Sequence, residues 1–279
     1  MKWSLPALKS PELLALGGIC LSILGALLCA AALLEFLLRC LWFQYYRLGF
    51  RLMRGGWLQR AEEIFQRGAR LSSGTHRTAA LAGLAACRMH QGHYAEAVAM
   101  LEPLMDQRLP RWLRRDEVVL RGLLALCLAM QGDTLRAKRW LDEACARFGG
   151  MVTYLVLPEV AILCREGRLG AALKRMEDCW QLLVKDGVAG RRLRLFRAYA
   201  QRGVDPERNA DLVAMALLSL APFPKEELAF CREHWPVLAD FMQLGEDLVA
   251  RREEERAGSQ AERSAALEAA SASKVDTSG

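Results

Sequence analysis

The positions from Leu13 to Leu34, LLALGGICLSILGALLCAAALL, form a run of 22 residues without a charge. At about 1.5 Å per helical residue, the run reaches across a hydrocarbon core of about 30 Å. It predicts a membrane-spanning helix over 13–38, behind a short tail at 1–12. A cleaved signal peptide has an apolar region of about 7–15 residues, which is shorter than this one. No proline lies between Glu12 and Arg54, and the helical pattern does not break there. The span is therefore expected to run into the next helix without a flexible linker, with Gly49 as the weak point.

After the span, uniform apolarity gives way to a periodic pattern. Tyr45, Leu48, Gly49 and Leu52 share one helical face before Gly56, and Ala61, Phe65 and Gly68 share another after it. The same arrangement returns three times. Ala97, Leu101 and Leu104 follow Gly92; Ala137, Leu141 and Ala144 follow Gly132; Ala172, Met176 and Cys179 follow Gly167. The glycines are spaced by 36, 40 and 35 residues, a period that signals stacked supersecondary units. A turn glycine permits a tight reversal, a small residue lets two helices approach, and the larger apolar residues need a neighbouring pair to cover them. Four helical hairpins are expected over 42–185. The longer interval predicts a loop around Arg108 to Arg115. Pro158 suggests a helix that begins late, with the proline in its first turn.

Beyond Lys185 the pattern weakens. RRLRLFRAYAQRG, ending at Gly203, reads as a first helix, and PERNADLVAMALLSLAP reads as its partner. These form a degenerate fifth unit, and one or two capping helices complete 186–256. The tail at 257–279 is rich in Ser, Ala and Glu, has little to bury and is expected to be disordered.

Composition narrows the class. Leu, Ala, Arg, Glu and Met favour helix, and no run alternates with period two, so the chain is expected to be all-α. The formal net charge is +6. It is spread along the chain, which suits an anionic membrane surface or an acidic partner. A nucleic-acid protein would leave a concentrated basic footprint. Arg39, Arg47, Arg51 and Arg54 follow the span and only Lys2 and Lys9 precede it, which favours a cytoplasmic repeat domain. The nine cysteines include no CxxC pair. Cys87, Cys127, Cys145, Cys164 and Cys179 fall in apolar helical patterns and read as small buried hydrophobes.

Candidate chemistry is sparse. His90 and His93 straddle the turn at Gly92 without an evident third ligand and read as turn residues. No nucleophile elbow, zinc-protease, P-loop or dinucleotide motif occurs. Glu62-Glu63 and Glu226-Glu227 read as exposed or helix-start acids. Arg191, Arg194 and Arg197 share a face that reads as solvated. Catalysis, a cofactor and a metal site are not expected.

The segments YYRLGFRLMRGGWLQRAEEIFQRG, GHYAEAVAMLEPL and GDTLRAKRWLDEA resemble the tetratricopeptide (TPR) repeat family, and the likeness covers about 42–185. It implies a TPR-like solenoid whose first helices line a concave groove for peptides or partner helices. By register, the groove positions are Tyr46, Phe50, Met53, Ala82, Ala86, Met89, Gly122, Leu126 and Ala161. They are apolar or small, so the polar clamp that some family members use for a terminal carboxylate is missing. An amphipathic helix would fit, or the chain's own C-terminal helix. The resemblance implies a single-pass membrane scaffold that binds partner proteins. The alternative is a permanent structural subunit of a larger membrane complex for secretion, envelope assembly or cofactor biosynthesis.

Overall fold

The computed structural model describes residues 11–106, 109, 116–149, 153–183 and 187–275. Among these the chain forms twelve helices and no strand. Apart from Leu109, the expected loop at Arg108 to Arg115 falls outside the described residues.

Helix α1, Pro11–Arg54, is a single helix of 44 residues. Then follow α2 (Leu58–Leu71), α3 (Gly74–His90), α4 (Tyr94–Met105), α5 (Glu117–Gln131) and α6 (Thr134–Phe148). The second half comprises α7 (Thr153–Arg165), α8 (Leu169–Leu183), α9 (Gly187–Val204), α10 (Ala210–Leu220), α11 (Lys225–His234) and α12 (Pro236–Val275). Successive helices pack as hairpins, and the first helix of each pair also touches the first helix of the next.

The four turn glycines are built alike. Gly56, Gly92, Gly132 and Gly167 have φ of +81°, +90°, +98° and +73°, the left-handed region that side chains resist. Each glycine amide donates to the carbonyl three residues back, as Gly132 does to Ala129 at 3.2 Å. The next amide reaches five back: Trp57 to Leu52, His93 to Arg88, Asp133 to Leu128 and Arg168 to Leu163, at 2.9–3.0 Å. This is the Schellman pattern, which satisfies carbonyls that a helix end leaves open. Five positions after each glycine stands Ala61, Ala97, Ala137 or Ala172, all fully buried. Phe65, Leu101, Leu141 and Met176 occupy the next core position.

Phe65 joins α1 to this stack. It is 1% exposed and lies between α1 and α3 where both carry glycine, at Gly49 and Gly83. A Cβ on Gly49 would stand 2.6 Å from Phe65 Cζ. Phe50 and Tyr46 meet the same ring at centroid distances of 5.2 and 6.3 Å. Gly49 is therefore a point of close contact with α2, within a helix that continues through it.

Three expectations are corrected. Pro158 lies inside α7, beyond the first turn, and cannot donate to the Tyr154 carbonyl. Gly122 of α5 leaves room for that carbonyl, since a Cβ there would collide with it. The fifth unit forms as α9 and α10, but Gly203 sits inside α9. Its turn is instead held by Asp205, which accepts from the Arg208 amide at 3.1 Å, and by Asn209, which donates to Gln201 O at 3.0 Å. The tail continues α12 as helix to Val275, where the composition suggested disorder from Ala257. Ala, Glu and Arg favour helix even without a face to bury, and Ala250 to Gln260 are all exposed.

Gly49→Ala should destabilise the fold by about 1–3 kcal/mol through overpacking. Combined with Phe65→Leu, the total loss should be smaller than the sum of the two single losses. Denaturation of the four proteins in one detergent checks this coupling.

Candidate functional site

The nine groove positions do not line an open groove. Ala82, Ala86, Met89, Leu126 and Ala161 are each at most 2% exposed, Met53 is 8% exposed and Gly122 is buried. Tyr46 and Phe50 are half-buried and pack against the core around Phe65. Ala82, Met89, Leu126 and Ala161 belong to one core together with Leu193 and Phe196 of α9 and with Leu228 and Cys231 of α11. Small and apolar residues suit a groove and a packed interior equally, so the register alone did not separate the two.

A polar node pins α9 and α11 to the α3–α4 turn. Arg192 and Glu227 are 8% and 9% exposed, and Tyr94 is fully buried. Tyr94 OH donates to Glu227 Oε1 at 2.8 Å. Arg192 donates to the Met89 carbonyl at 2.8 Å and also to Tyr94 OH, and its charge lies 3.4 Å from Glu227. Burial opposes the Arg192 charge, but Tyr94 and Glu227 hold its pKa above the ordinary value. Burial raises the Tyr94 hydroxyl well above its usual range. Gly92 makes this approach possible, because a Cβ there would come within 2.7 Å of Glu227 Cα. Glu227, read from sequence as a helix-start acid, does begin α11, yet its partners come from two other helices.

Beside this node is a cavity of about 230 Å³ lined by Met53, His90, Arg191, Arg192, Phe223 and Glu227, among others. His90 is part of this interior rather than a simple turn residue. Burial, then Arg192, lower its pKa from 6.5 to about 3. No group of three or more metal-ligating side chains occurs among the described residues. Arg191 donates to the carbonyls of Leu220 and Pro222 at 2.6 and 3.0 Å, and Arg197 stacks 4.3 Å from the Trp180 ring centre. Two members of the arginine face are thus structural. Cys87, Cys127 and Cys164 are buried, and burial pushes each thiol up to about 12. Cys179 is buried too, whereas Cys145 is only half-buried.

The open feature is a cleft of about 970 Å³ between α1, α2 and α3. Helix α1 supplies Phe36, Cys40, Trp42, Phe43, Tyr45 and Tyr46 to it, and Glu35 at one edge. Helix α2 adds Ile64, Phe65, Gly68 and Leu71, and the segment from Ser72 to His76 closes another side. Trp42 stacks on His76, with centroids 6.2 Å apart and planes 25° apart. Helix α3 begins here with no acid in its first turn and no hydrogen bond from the Ser73 side chain to its amides. Helix N-terminal amides carry partial positive charge. The cleft is therefore aromatic and apolar over most of its lining, with hydroxyls and a helix start along one border. None of its residues was assigned from sequence as a site except Tyr46. The signal available was the aromatic run WFQYY immediately after the apolar segment.

Arg192→Met should cost about 3–5 kcal/mol, because it strands a buried carboxylate. Adding Tyr94→Phe and Glu227→Leu should recover most of that loss in equilibrium unfolding. His90 stays neutral when folded but takes up a proton below about pH 6.5 when unfolded. Stability should therefore fall as pH drops from about 6.5 toward 3, by up to about 1.4 kcal/mol per pH unit. The slope of melting temperature against pH should flatten in His90→Gln. Compared with known proteins, the chain matches no family model, no curated protein and no solved structure.

Proposed function

We propose that the protein is a membrane-anchored adaptor of TPR type, which holds partner proteins at a membrane and performs no chemistry itself. The observation that carries this reading is α1. Its Cys20–Met53 stretch is long and apolar enough to cross a membrane, with a window of mean hydropathy 2.4 of which none is buried. Leu21, Leu27, Leu28, Leu33 and Leu34 are each more than half exposed, a surface that a water-soluble fold would not leave uncovered. The same helix packs through Gly49 and Met53 into the first hairpin. Anchor and repeats would thus move as one body, with no tether between them.

The TPR part of the reading is supported by the four matching glycine turns, by the buried alanine five positions after each, and by their 35–40-residue spacing. Most of the inner positions are buried in one core that also holds residues of α9 and α11, so partner capture falls to another surface. The projecting end of α12 suits that role. From Ala250 to Gln260 every residue is exposed, and a helix polar on every side gains stability chiefly from a second protein.

Carbonate washing of membranes should leave the protein in the pellet; release into the supernatant overturns the anchor. Reporter fusions at the C-terminus then assign the side, with a cytoplasmic reporter expected from the arginines that follow the span. A chain ending at Ala250 should melt as the full chain does but lose its crosslinked partners. If partners are kept, the arm is not the contact. If the extracted protein is found only in one large stoichiometric assembly, the permanent-subunit reading replaces the adaptor.

A further inference from the structure

We propose that the cleft between α1, α2 and α3 seats one anionic phospholipid from the surrounding bilayer, with an acyl chain against α1 and its phosphate at the start of α3. This rests on the reading of α1 as the membrane anchor. The first argument is continuity. Phe36, Cys40 and Phe43 line the cleft, and all three also belong to the exposed surface of α1, beside Leu33, Leu37 and Leu41. The apolar face that would meet the acyl chains therefore passes into the cleft without a polar barrier.

The second argument is depth. The uncharged run ends at Leu34, so Glu35 to about Leu38 fall in the headgroup layer of a bilayer centred on that run, and Phe36 lines the cleft at that level. Trp42, Tyr45 and Tyr46 line the cleft farther out, about 12–18 Å of helix past Leu34. At the level of Phe36 a soluble partner helix would have to displace lipid to enter, whereas a lipid is already there.

The third argument is the polar border. Ser72, Ser73, Thr75 and His76 line it, and the first-turn amides of α3 face no acid of their own helix and receive no cap from Ser73. Such a terminus accepts phosphate when a shaped cavity presents it. Arg47 and Arg51 are exposed on α1 just past the cleft, and Arg47 lies over Phe43, 5.7 Å from the ring centre. These cations would enrich anionic lipid beside the opening. Glu35 is the one acid among the lining residues, at the apolar run's edge and far in sequence from the α3 start.

The test uses the full chain purified in mild detergent, with melting temperature read against added phosphatidylglycerol, phosphatidylcholine or inorganic phosphate. Phosphatidylglycerol should raise it saturably, while the other two should leave it unchanged. Thr75→Glu places a carboxylate in the first turn of α3, where it complements the helix dipole and preserves the fold, and should abolish the shift. Cys40→Trp fills the apolar end and should also abolish it. Native mass spectrometry should find one phosphatidylglycerol per wild-type chain and none on either variant. Equal shifts from both lipids, the same shift from inorganic phosphate, or a shift retained in Thr75→Glu overturns the proposal. A protein that resists carbonate but shows no lipid shift refutes this site alone; a protein that carbonate releases refutes the anchor itself.

Discussion

A guanidinium in an apolar interior must be met by acceptors, and that requirement sets where the C-terminal third of this protein sits. Arg192 is buried among Tyr94, Glu227 and the carbonyl of Met89, groups up to 103 residues away in sequence. The last carbonyls of a helix have no donor within it, and the C-terminal end of α3 receives one here from α9. The arrangement recurs. Arg165 of α7 donates to the carbonyls of Ala129 and Met130 at the end of α5, and to that of His234 at the end of α11. Arg191 does the same for α10. Arginine suits this work because its planar fork serves two acceptors at once and its charge complements the negative end of a helix.

This use of arginine changes the meaning of the net charge. Read as composition, +6 pointed outward, to a membrane surface or an acidic partner. Three of the arginines, Arg165, Arg191 and Arg192, instead fasten helix ends, and Arg192 does so from the interior. The cations left at the surface on α1, Arg47 and Arg51, stand beside the aromatic cleft. The inner-face positions Ala82, Met89, Leu126 and Ala161 are buried in the core. What remains outward are the apolar face of α1, the cleft at its foot and the projecting end of α12.

The rigidity of the anchor follows from a different constraint. Phe65 fills the gap that Gly49 and Gly83 leave between α1 and α3. A helix that enters the first hairpin through such a close contact cannot swing freely relative to it.

The helix class, the hairpin turns and the core register were legible in the chain because each rests on a local requirement. A positive φ asks for glycine, a close helix crossing asks for alanine five positions later, and an unbroken apolar run asks for a non-aqueous surrounding. Gly56, Gly92, Gly132 and Gly167 meet the first requirement, and Ala61, Ala97, Ala137 and Ala172 the second. The fate of Ala82, Met89, Leu126 and Ala161 was not legible. The same residues could line a groove or lie in a core, and their burial in one core that also holds residues of α9 and α11 decided between them. Tyr94, Arg192 and Glu227 carry no spacing that links them, because a contact between distant segments leaves no period in the chain. Local geometry is written in neighbouring residues; closure depends on which surfaces meet after the helices have formed.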